Sequence, residues 1–178
     1  MADNVAPARA YQRAIYTLGQ APGGATRTLS GFTRDEACRL GAAFAAMSPW
    51  SAYQIPAPRL AQFFAASEDA CSRMAIRVDG QLAGVAVVRA SWLHGPYLQF
   101  LGLLPSWQGQ GLGAAVLNWM ADEAPVGTRN LWLCVSAINV RARVFYEAHG
   151  YRVAACLDGL AADHMDELLM RREVRVAG

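Results

Sequence analysis

The chain of 178 residues contains no lysine, so all sixteen of its basic residues are arginine. Schiff-base chemistry and a Walker-type phosphate site both require a lysine, and both are therefore excluded. Charged residues make up only 17% of the chain, whereas apolar residues make up 54%. This balance excludes a disordered chain and predicts one domain with a sizeable core.

The chain also lacks a large excess of positive or negative residues, because sixteen arginines and fourteen acidic residues leave a formal charge of +2. No nucleic-acid partner is expected from this balance. No membrane span is expected either, because glycine, proline and glutamine interrupt the uncharged run over residues 90–121. The first 25 residues lack the apolar segment of a secretion signal, so the cytoplasm is the predicted location.

Paired cysteine motifs are absent. Cys38, Cys71, Cys134 and Cys156 lie far apart and form no CxxC pair. We interpret them as scattered thiols in a reduced compartment. No metal site is predicted, because the spacing of zinc ligands is missing.

The order of predicted elements indicates one mixed α/β domain behind a short arm. Residues 1–24 are expected to form a loosely ordered arm with a short helix over residues 11–18, and residues 25–178 to form the domain. Thr33 and Glu36 have the spacing of a capping box and predict a helix start. The remaining predicted elements are strands over residues 26–30, 74–78, 82–88, 97–104, 131–136, 151–157 and 167–172, and helices from Pro58 and over residues 111–123 and 139–149. Such an order favours a mixed sheet with helices on both faces.

The most informative segment is Gln108-Gly109-Gln110-Gly111-Leu112-Gly113, which lies between a predicted strand and a predicted helix. Backbone N–H groups at a helix start can hold an anion, and glycines let a phosphate approach the backbone closely. A dinucleotide is disfavoured, because the next strand ends in Cys134-Val135-Ser136 without the expected carboxylate. A turn that only lets a helix pack on the sheet stays open as an alternative to a phosphate site.

The glycine segment matches Q/R-x-x-G-x-G/A, the pyrophosphate signature of the GNAT superfamily of N-acetyltransferases. Residues 97–105 resemble the central strand of that family, and residues 166–171 resemble its closing strand. Six residues match the N-x-x-A-x-x-F-Y-x-x-x-G-[FY] helix of that family: Asn139, Ala142, Phe145, Tyr146, Gly150 and Tyr151. The resemblance covers about residues 26–172. It implies a mixed, mostly antiparallel, twisted sheet of about seven strands, with helices on both faces and a V-shaped split between the central strands.

The resemblance also implies acetyl-CoA as co-substrate and no metal. The amine of a small molecule or amino compound would attack the thioester directly. The pyrophosphate would bind the N–H groups of Gln108, Gly109, Gln110, Gly111, Leu112 and Gly113. Leu101 and Leu103 would pair with pantetheine through their backbone, with Asn139 offering its amide and Arg143 or Arg141 a positive charge. Dimers are common among similar proteins, so a homodimer stays open, and the sequence does not fix the oligomeric state.

Tyr146 is the predicted general acid, because a phenol can protonate a departing thiolate in a dry site. The alternative is a core tyrosine. Many family members carry a glutamate where this chain has Gln99, and an amide cannot act as a base. Gln99 is therefore predicted to orient the amine or a water molecule, and proton removal is assigned to water, His94, Glu167 or a group in the N-terminal helices.

Trp50, Tyr53 and Trp92 are predicted to line an aromatic acceptor pocket, with ordinary aromatic packing as the alternative. Two other functions stay open. A protein N-terminal acetyltransferase is disfavoured, because residues 157–162 do not match the Arg-x-x-Tyr-Tyr-like run of that subgroup. A non-catalytic module that binds coenzyme A is suggested by the missing strand glutamate.

Overall fold

The computed structural model of the protein describes residues 10–21, 23–163 and 165–174, and an eight-stranded sheet forms its centre. The strands are β1 (Ile15–Gln20), β2 (Thr26–Ser30), β3 (Cys71–Val78), β4 (Gln81–Trp92), β5 (Gly95–Leu103), β6 (Asn130–Ser136), β7 (Arg152–Ala162) and β8 (Met165–Glu173). Their order in the sheet is β1-β2-β3-β4-β5-β6-β8-β7. Every neighbouring pair is antiparallel except β5 and β6, which are parallel. The predicted mixed, mostly antiparallel sheet is confirmed.

The helices are α1 (Arg34–Ala45), α2 (Ala57–Ala65), α3 (Leu112–Asp122) and α4 (Val140–Ala148), with short 3-10 helices at Trp50–Tyr53 and Pro105–Trp107. They cover both faces of the sheet, as predicted. The alternation along β4 shows why: Val85 and Val87 are buried in the core that contains α1 and α2, whereas Ala86 and Val88 are buried in the core that contains α3. None of the helices in the described part of the chain combines the length and the apolar character needed to cross a bilayer.

The eighth strand is an element that the sequence did not predict. Residues 15–20 form β1 and pair with β2, so the helix predicted over residues 11–18 is wrong. Isoleucine, tyrosine and threonine at its start favour an extended backbone. Tyr11 is fully buried, and its hydroxyl donates to the carbonyl oxygen of Met120 at 2.6 Å. The described part of the expected loose arm is therefore packed on the domain, while residues 1–9 lie outside the described residues.

The central parallel pair separates soon after it forms. β5 and β6 pair through only two residues of each strand, the second pair being Leu98 with Leu133. On its other side, β5 has a bulge: Gln99 is an extra residue between the partners of Val87 and Val88. A bulge bends a strand and increases its twist. The pairing with β6 stops at this bulge, which confirms the predicted V-shaped split.

The predicted capping box ties α1 to the sheet. Glu36 donates its backbone N–H to the hydroxyl of Thr33 at 3.2 Å, and its carboxylate accepts from the N–H of Thr33 at 2.8 Å. The same carboxylate accepts from both terminal nitrogens of Arg77 on β3, at 2.7 and 2.9 Å. These hydrogen bonds from Arg77 are the main reason why the pKa of Glu36 falls to about 2.

We expect Glu36→Gln to lower the free energy of unfolding by about 2 kcal/mol at neutral pH, because charge-assisted hydrogen bonds are lost. The folded-state pKa lies below the ordinary 4.5. The stability from the carboxylate is therefore complete above about pH 4.5 and is lost as the pH falls towards 2. Urea titrations should show the two proteins converging as the pH is lowered.

A constant difference between wild type and Glu36→Gln across this pH range would contradict the prediction. Glu68→Gln is the matched control. Its carboxylate also faces two arginines, Arg73 and Arg89, but it is exposed to solvent. Its removal should change stability less.

Candidate active site

A cleft of about 1050 Å³ opens where β5 and β6 separate. Its walls come from β5, the start of α3, α4, the end of β6, the start of β8, and α2 with the segment before it. The cleft brings together most of the predicted site residues. Those that line it are Trp50, Tyr53, Gln99, Leu101, Leu103, Gln108, Gly109, Gly111, Leu112, Gly113, Asn139 and Tyr146. Gln110, Arg143 and Trp92 are not among its lining residues.

The glycine loop forms the start of α3 in the way the sequence suggested. Gly109 and Gly111 have φ of 73° and 75°, in the left-handed region that favours glycine. Gly111 is the N-cap residue, and no side chain caps the helix there. The first-turn N–H groups of α3 therefore have no side-chain acceptor at the cap, which is the usual arrangement at an anion site.

Gln108 connects this loop to the rest of the cleft. Its amide nitrogen donates to the carbonyl oxygen of Leu103 at 3.1 Å, and its amide oxygen accepts from Arg141 at 3.4 Å. Arg141 lines the cleft, so it carries a positive charge there. Arg143 instead lies 3.7 Å from the carboxylate of Glu147. Residues two apart on a helix point about 200° apart, so only one of the two arginines can face the cleft.

The second half of α4 packs tightly on the start of α3. A Cβ atom on Gly113 would lie 2.9 Å from Cζ of Phe145, so a larger residue would push the two helices apart. Asn139 caps α4 by accepting from the N–H of Ala142 at 3.2 Å through its side-chain oxygen. Its amide nitrogen makes no hydrogen bond to the described residues. Both predicted roles of Asn139, as helix cap and as donor to a ligand, are therefore compatible.

Tyr146 combines burial with access to the cleft. It is only 8% exposed, and its ring packs at 6.0 Å from that of Tyr151 and 5.2 Å from that of Phe145. Burial raises its pKa well above the ordinary value. The phenol therefore keeps its proton at neutral pH and can serve as a donor in the cleft but not as a base.

A buried carboxylate lies across the cleft from this phenol's helix. Glu167 on β8 is 6% exposed and stands opposite Ser136 in the pairing of β6 with β8. The hydroxyl of Tyr53 donates to one of its oxygens. Burial raises the pKa of Glu167, and the hydrogen bond from Tyr53 partly opposes that rise. Burial also raises the pKa of Tyr53 to about 12, so Tyr53 stays a donor.

One wall of the cleft is aromatic. Trp50 stacks on Phe100 with ring centroids 4.9 Å apart, and Phe63 also lines the cleft. Trp92 lies elsewhere, at the end of β4, where its ring packs against those of Tyr97 and Trp132. The aromatic pocket predicted from the sequence thus contains Trp50 and Tyr53 without Trp92.

The other residues named from the sequence lie in different places. Gln99 lines the cleft and accepts a weak hydrogen bond from the thiol of Cys71 at 3.7 Å. His94 is exposed in the turn between β4 and β5, outside the cleft lining. Gln110 is exposed and donates to the carbonyl oxygen of Ser106 at 2.7 Å. Of the two residues named from the sequence as candidate bases, His94 and Glu167, the fold brings Glu167 to the cleft.

Sequence reasoning missed two features of this region. The Tyr53–Glu167 contact joins residues 114 positions apart, and no local signal predicts it. The hydroxyl of Ser136 is buried and has no hydrogen-bond partner in the described part of the chain. Outside the cleft, ligand atoms of the exposed Cys156, Asp158 and Asp166 lie within 4.8 Å of one another.

Comparison with known proteins places these features in a family. Residues 39–151 match the Acetyltransferase (GNAT) family, which is more than half of the chain. An uncharacterized N-acetyltransferase of Mycobacterium tuberculosis is 32% identical over 100 residues, or 55% of this chain and 64% of that protein. Streptothricin acetyltransferase of Streptomyces lavendulae is 35% identical over 91 residues, or 49% of this chain and 48% of that protein. The chain therefore matches less than two thirds of the length of either relative.

A solved structure extends the likeness to the fold. The ribosomal-protein-S18-alanine N-acetyltransferase from Escherichia coli superposes with a TM-score of 0.66 at 24% identity, covering 85% of this chain and 96% of that one. The split sheet, the glycine loop at the start of α3 and the family match over residues 39–151 agree with one another. The chain belongs to the GNAT family of acetyltransferases.

Proposed function

We propose that the protein transfers an acetyl group from acetyl-CoA to a primary amine of a small molecule or amino compound. The observation that carries this proposal is the content of one cleft: an uncapped helix start, an unpaired strand edge, a protonated phenol and a buried carboxylate. Each of these groups meets one chemical need of acetyl transfer.

Acetyl-CoA would bind along the start of α3 and the free edge of β5. Its diphosphate fits the first-turn N–H groups behind Gly111, where the helix dipole favours negative charge. The edge of β5 over residues 99–103 makes no pairs with β6. Apart from the carbonyl oxygen of Leu103, which accepts from Gln108, its backbone groups are available to the amides of pantetheine. Leu101 and Leu103 lie on this edge, and Asn139 faces it from the start of α4. A backbone N–H on the same edge would polarise the thioester carbonyl, as an oxyanion hole does.

Proton transfer divides between the two buried groups. Glu167 takes a proton from the ammonium form of the acceptor, so that the free amine can attack the thioester carbon. The new C–N bond forms as the C–S bond breaks, and the electron pair of that bond goes to sulfur. Tyr146 gives its proton to the sulfur, and the proton released by the product nitrogen restores the phenol.

The acceptor side of the cleft favours a cationic amine. Trp50 and Phe63 present aromatic faces, and Glu167 is the carboxylate that lines the cleft in the described part of the chain. One relative is named streptothricin acetyltransferase, which indicates a small-molecule acceptor for that protein. This name supports a small-molecule acceptor for the present chain. Because Glu167 supplies a carboxylate, Gln99 at the strand position no longer favours a module without catalysis.

The first test is thiol release from acetyl-CoA with a panel of small primary amines. We expect turnover with the wild type, and a fall in kcat of roughly 100-fold or more for Tyr146→Phe, because the proton donor is lost. The affinity for acetyl-CoA should stay unchanged, since the ring remains. The control is Tyr151→Phe, which removes a neighbouring buried hydroxyl that has no hydrogen-bond partner among the described residues.

Two results would overturn this function. Turnover with peptides alone would identify a protein N-terminal acetyltransferase. Binding of acetyl-CoA without turnover of any amine or peptide would identify a non-catalytic module.

Glu167→Gln should abolish most activity at neutral pH, and wild-type activity should fall as the pH drops through the raised pKa of Glu167. Tyr53→Phe should move this acidic limb to higher pH, because the hydrogen bond that lowers the pKa of Glu167 is gone. Profiles of kcat/KM against pH with saturating acetyl-CoA would measure both effects. An unmoved limb in Tyr53→Phe would exclude Glu167 as the titrating base.

Glu167→Gln should also change the stability of the protein. A carboxyl group whose pKa is raised by folding binds more protons in the folded state, so its contribution becomes unfavourable as the pH rises above its ordinary pKa. Glu167→Gln should therefore be more stable than wild type at pH 8, and the gain should disappear below about pH 4.5. The control Glu173→Gln alters an exposed carboxylate on the same strand and should give no such gain.

A further inference from the structure

A buried guanidinium lies directly behind the glycine loop. Arg27, on β2, is only 9% exposed, and its Nη2 donates to the carbonyl oxygen of Gln110 at 2.6 Å. Its Nε is buried and has no hydrogen-bond partner in the described part of the chain. A buried cation is costly unless an anion compensates its charge, so the partner of Arg27 is an open question of the fold.

The surroundings of Arg27 do not supply that anion. Arg27 lines a second cavity, of about 730 Å³, together with Arg13, Asp122 and Glu123. Glu123 lies 3.7 Å from Arg13. Within residues 10–21, 23–163 and 165–174, no carboxylate comes within 4 Å of Arg27. Among the residues that the structure describes, Arg27 therefore has no ion-pair partner on its own side of the loop.

Gly111 separates the two cavities, because it lines both of them. A Cβ atom built on Gly111 would lie 3.7 and 3.8 Å from the terminal nitrogens of Arg27. Since glycine has no such atom, only the backbone stands between the guanidinium and the cleft. The loop itself contains no charged side chain from Gln108 to Gly113. Arg27 is thus a cation that an anion in the loop would meet through one layer of main chain, whereas Arg141 lines the cleft itself.

The hydrogen bond to Gln110 also sets the direction of a donor. A trans peptide unit is planar, and its C=O and N–H point in opposite directions. Arg27 holds the carbonyl oxygen of Gln110 on the side of the second cavity. The N–H of Gly111, in the same peptide unit, must therefore point to the opposite side, which is the cleft. The guanidinium also polarises this peptide unit and strengthens its N–H as a donor.

We propose that Arg27 is a positioning residue for the diphosphate of acetyl-CoA. It fixes the peptide between Gln110 and Gly111 with its N–H towards the cleft, and its charge is compensated by the bound diphosphate through the loop. This inference rests on the proposed function, because it requires that the loop binds acetyl-CoA.

The test compares two acetyl donors that differ in the diphosphate. Acetyl-pantetheine carries the thioester and the amide arm without the nucleotide. In Arg27→Gln, the Kd for acetyl-CoA should rise at least about tenfold, because a charge-assisted hydrogen bond and a buried charge are lost. The kcat/KM for acetyl-pantetheine should stay within about twofold of wild type. Arg27→Lys keeps the charge and should recover part of the loss.

Arg77→Gln is the matched control for stability. Arg77 is another partly buried arginine of the sheet, but it contacts Glu36 and lies away from the loop. The substitution Arg77→Gln should lower the melting temperature. It should leave unchanged how well the enzyme uses acetyl-CoA relative to acetyl-pantetheine. If Arg27→Gln does not fold, Arg27→Lys takes its place in the test. We then expect a smaller rise in the Kd for acetyl-CoA and an unchanged kcat/KM for acetyl-pantetheine.

The outcomes separate the two proposals. If calorimetry detects no binding of acetyl-CoA to the wild type, or if the strained substitution Gly111→Val leaves its Kd unchanged, the proposed function of the loop fails. If the wild type binds and Gly111→Val weakens binding while Arg27→Gln and Arg27→Lys do not, the role of Arg27 is wrong. An equal loss with acetyl-CoA and acetyl-pantetheine would show a merely structural role and would also overturn it.

Discussion

The parallel pairing of β5 with β6 stops after Leu98 and Leu133, and the arrangement of the site follows from this interruption. A continuous pair would satisfy the backbone of both strands and close the sheet. The extra residue Gln99 in β5 bends the strand at that point, so the edge beyond it stays unpaired. The cleft is therefore a consequence of strand geometry, and α3 and α4 flank it with the glycine loop and Tyr146.

Burial then decides the protonation of the groups that face the cleft. The phenol of Tyr146 and the carboxyl group of Glu167 are both removed from water, and burial raises the pKa of each. For a phenol this means a proton kept at neutral pH, whereas for a carboxylate it means a stronger base. One physical cause thus gives a protonated phenol and a more basic carboxyl group at two places in the same cavity. The hydroxyl of Tyr53 moderates the effect on the carboxylate.

Features encoded by neighbouring residues were predictable from the sequence. The capping box of Thr33 and Glu36 and the glycine loop at the start of α3 depend on residues within a few positions, and both were found. Features that depend on distant residues were not. Arg27 meets Gln110 across 83 positions, and strand β1 was missed because its pairing with β2 outweighs the weak local pattern. The helix period shows why Arg141 faces the cleft in place of Arg143, but the sequence alone does not fix the orientation of α4.

The segment that matches the family, residues 39–151, does not contain the whole of this architecture. The glycine loop and Tyr146 lie inside it, whereas Arg27 precedes it and Glu167 follows it. A minimal fragment cut to those limits would keep the parts shared with relatives but lose β2 and β8, leaving β3 and β6 as bare edges open to intermolecular pairing. The flanking strands therefore protect the edges of β3 and β6 against intermolecular pairing, and they also carry Arg27 and Glu167.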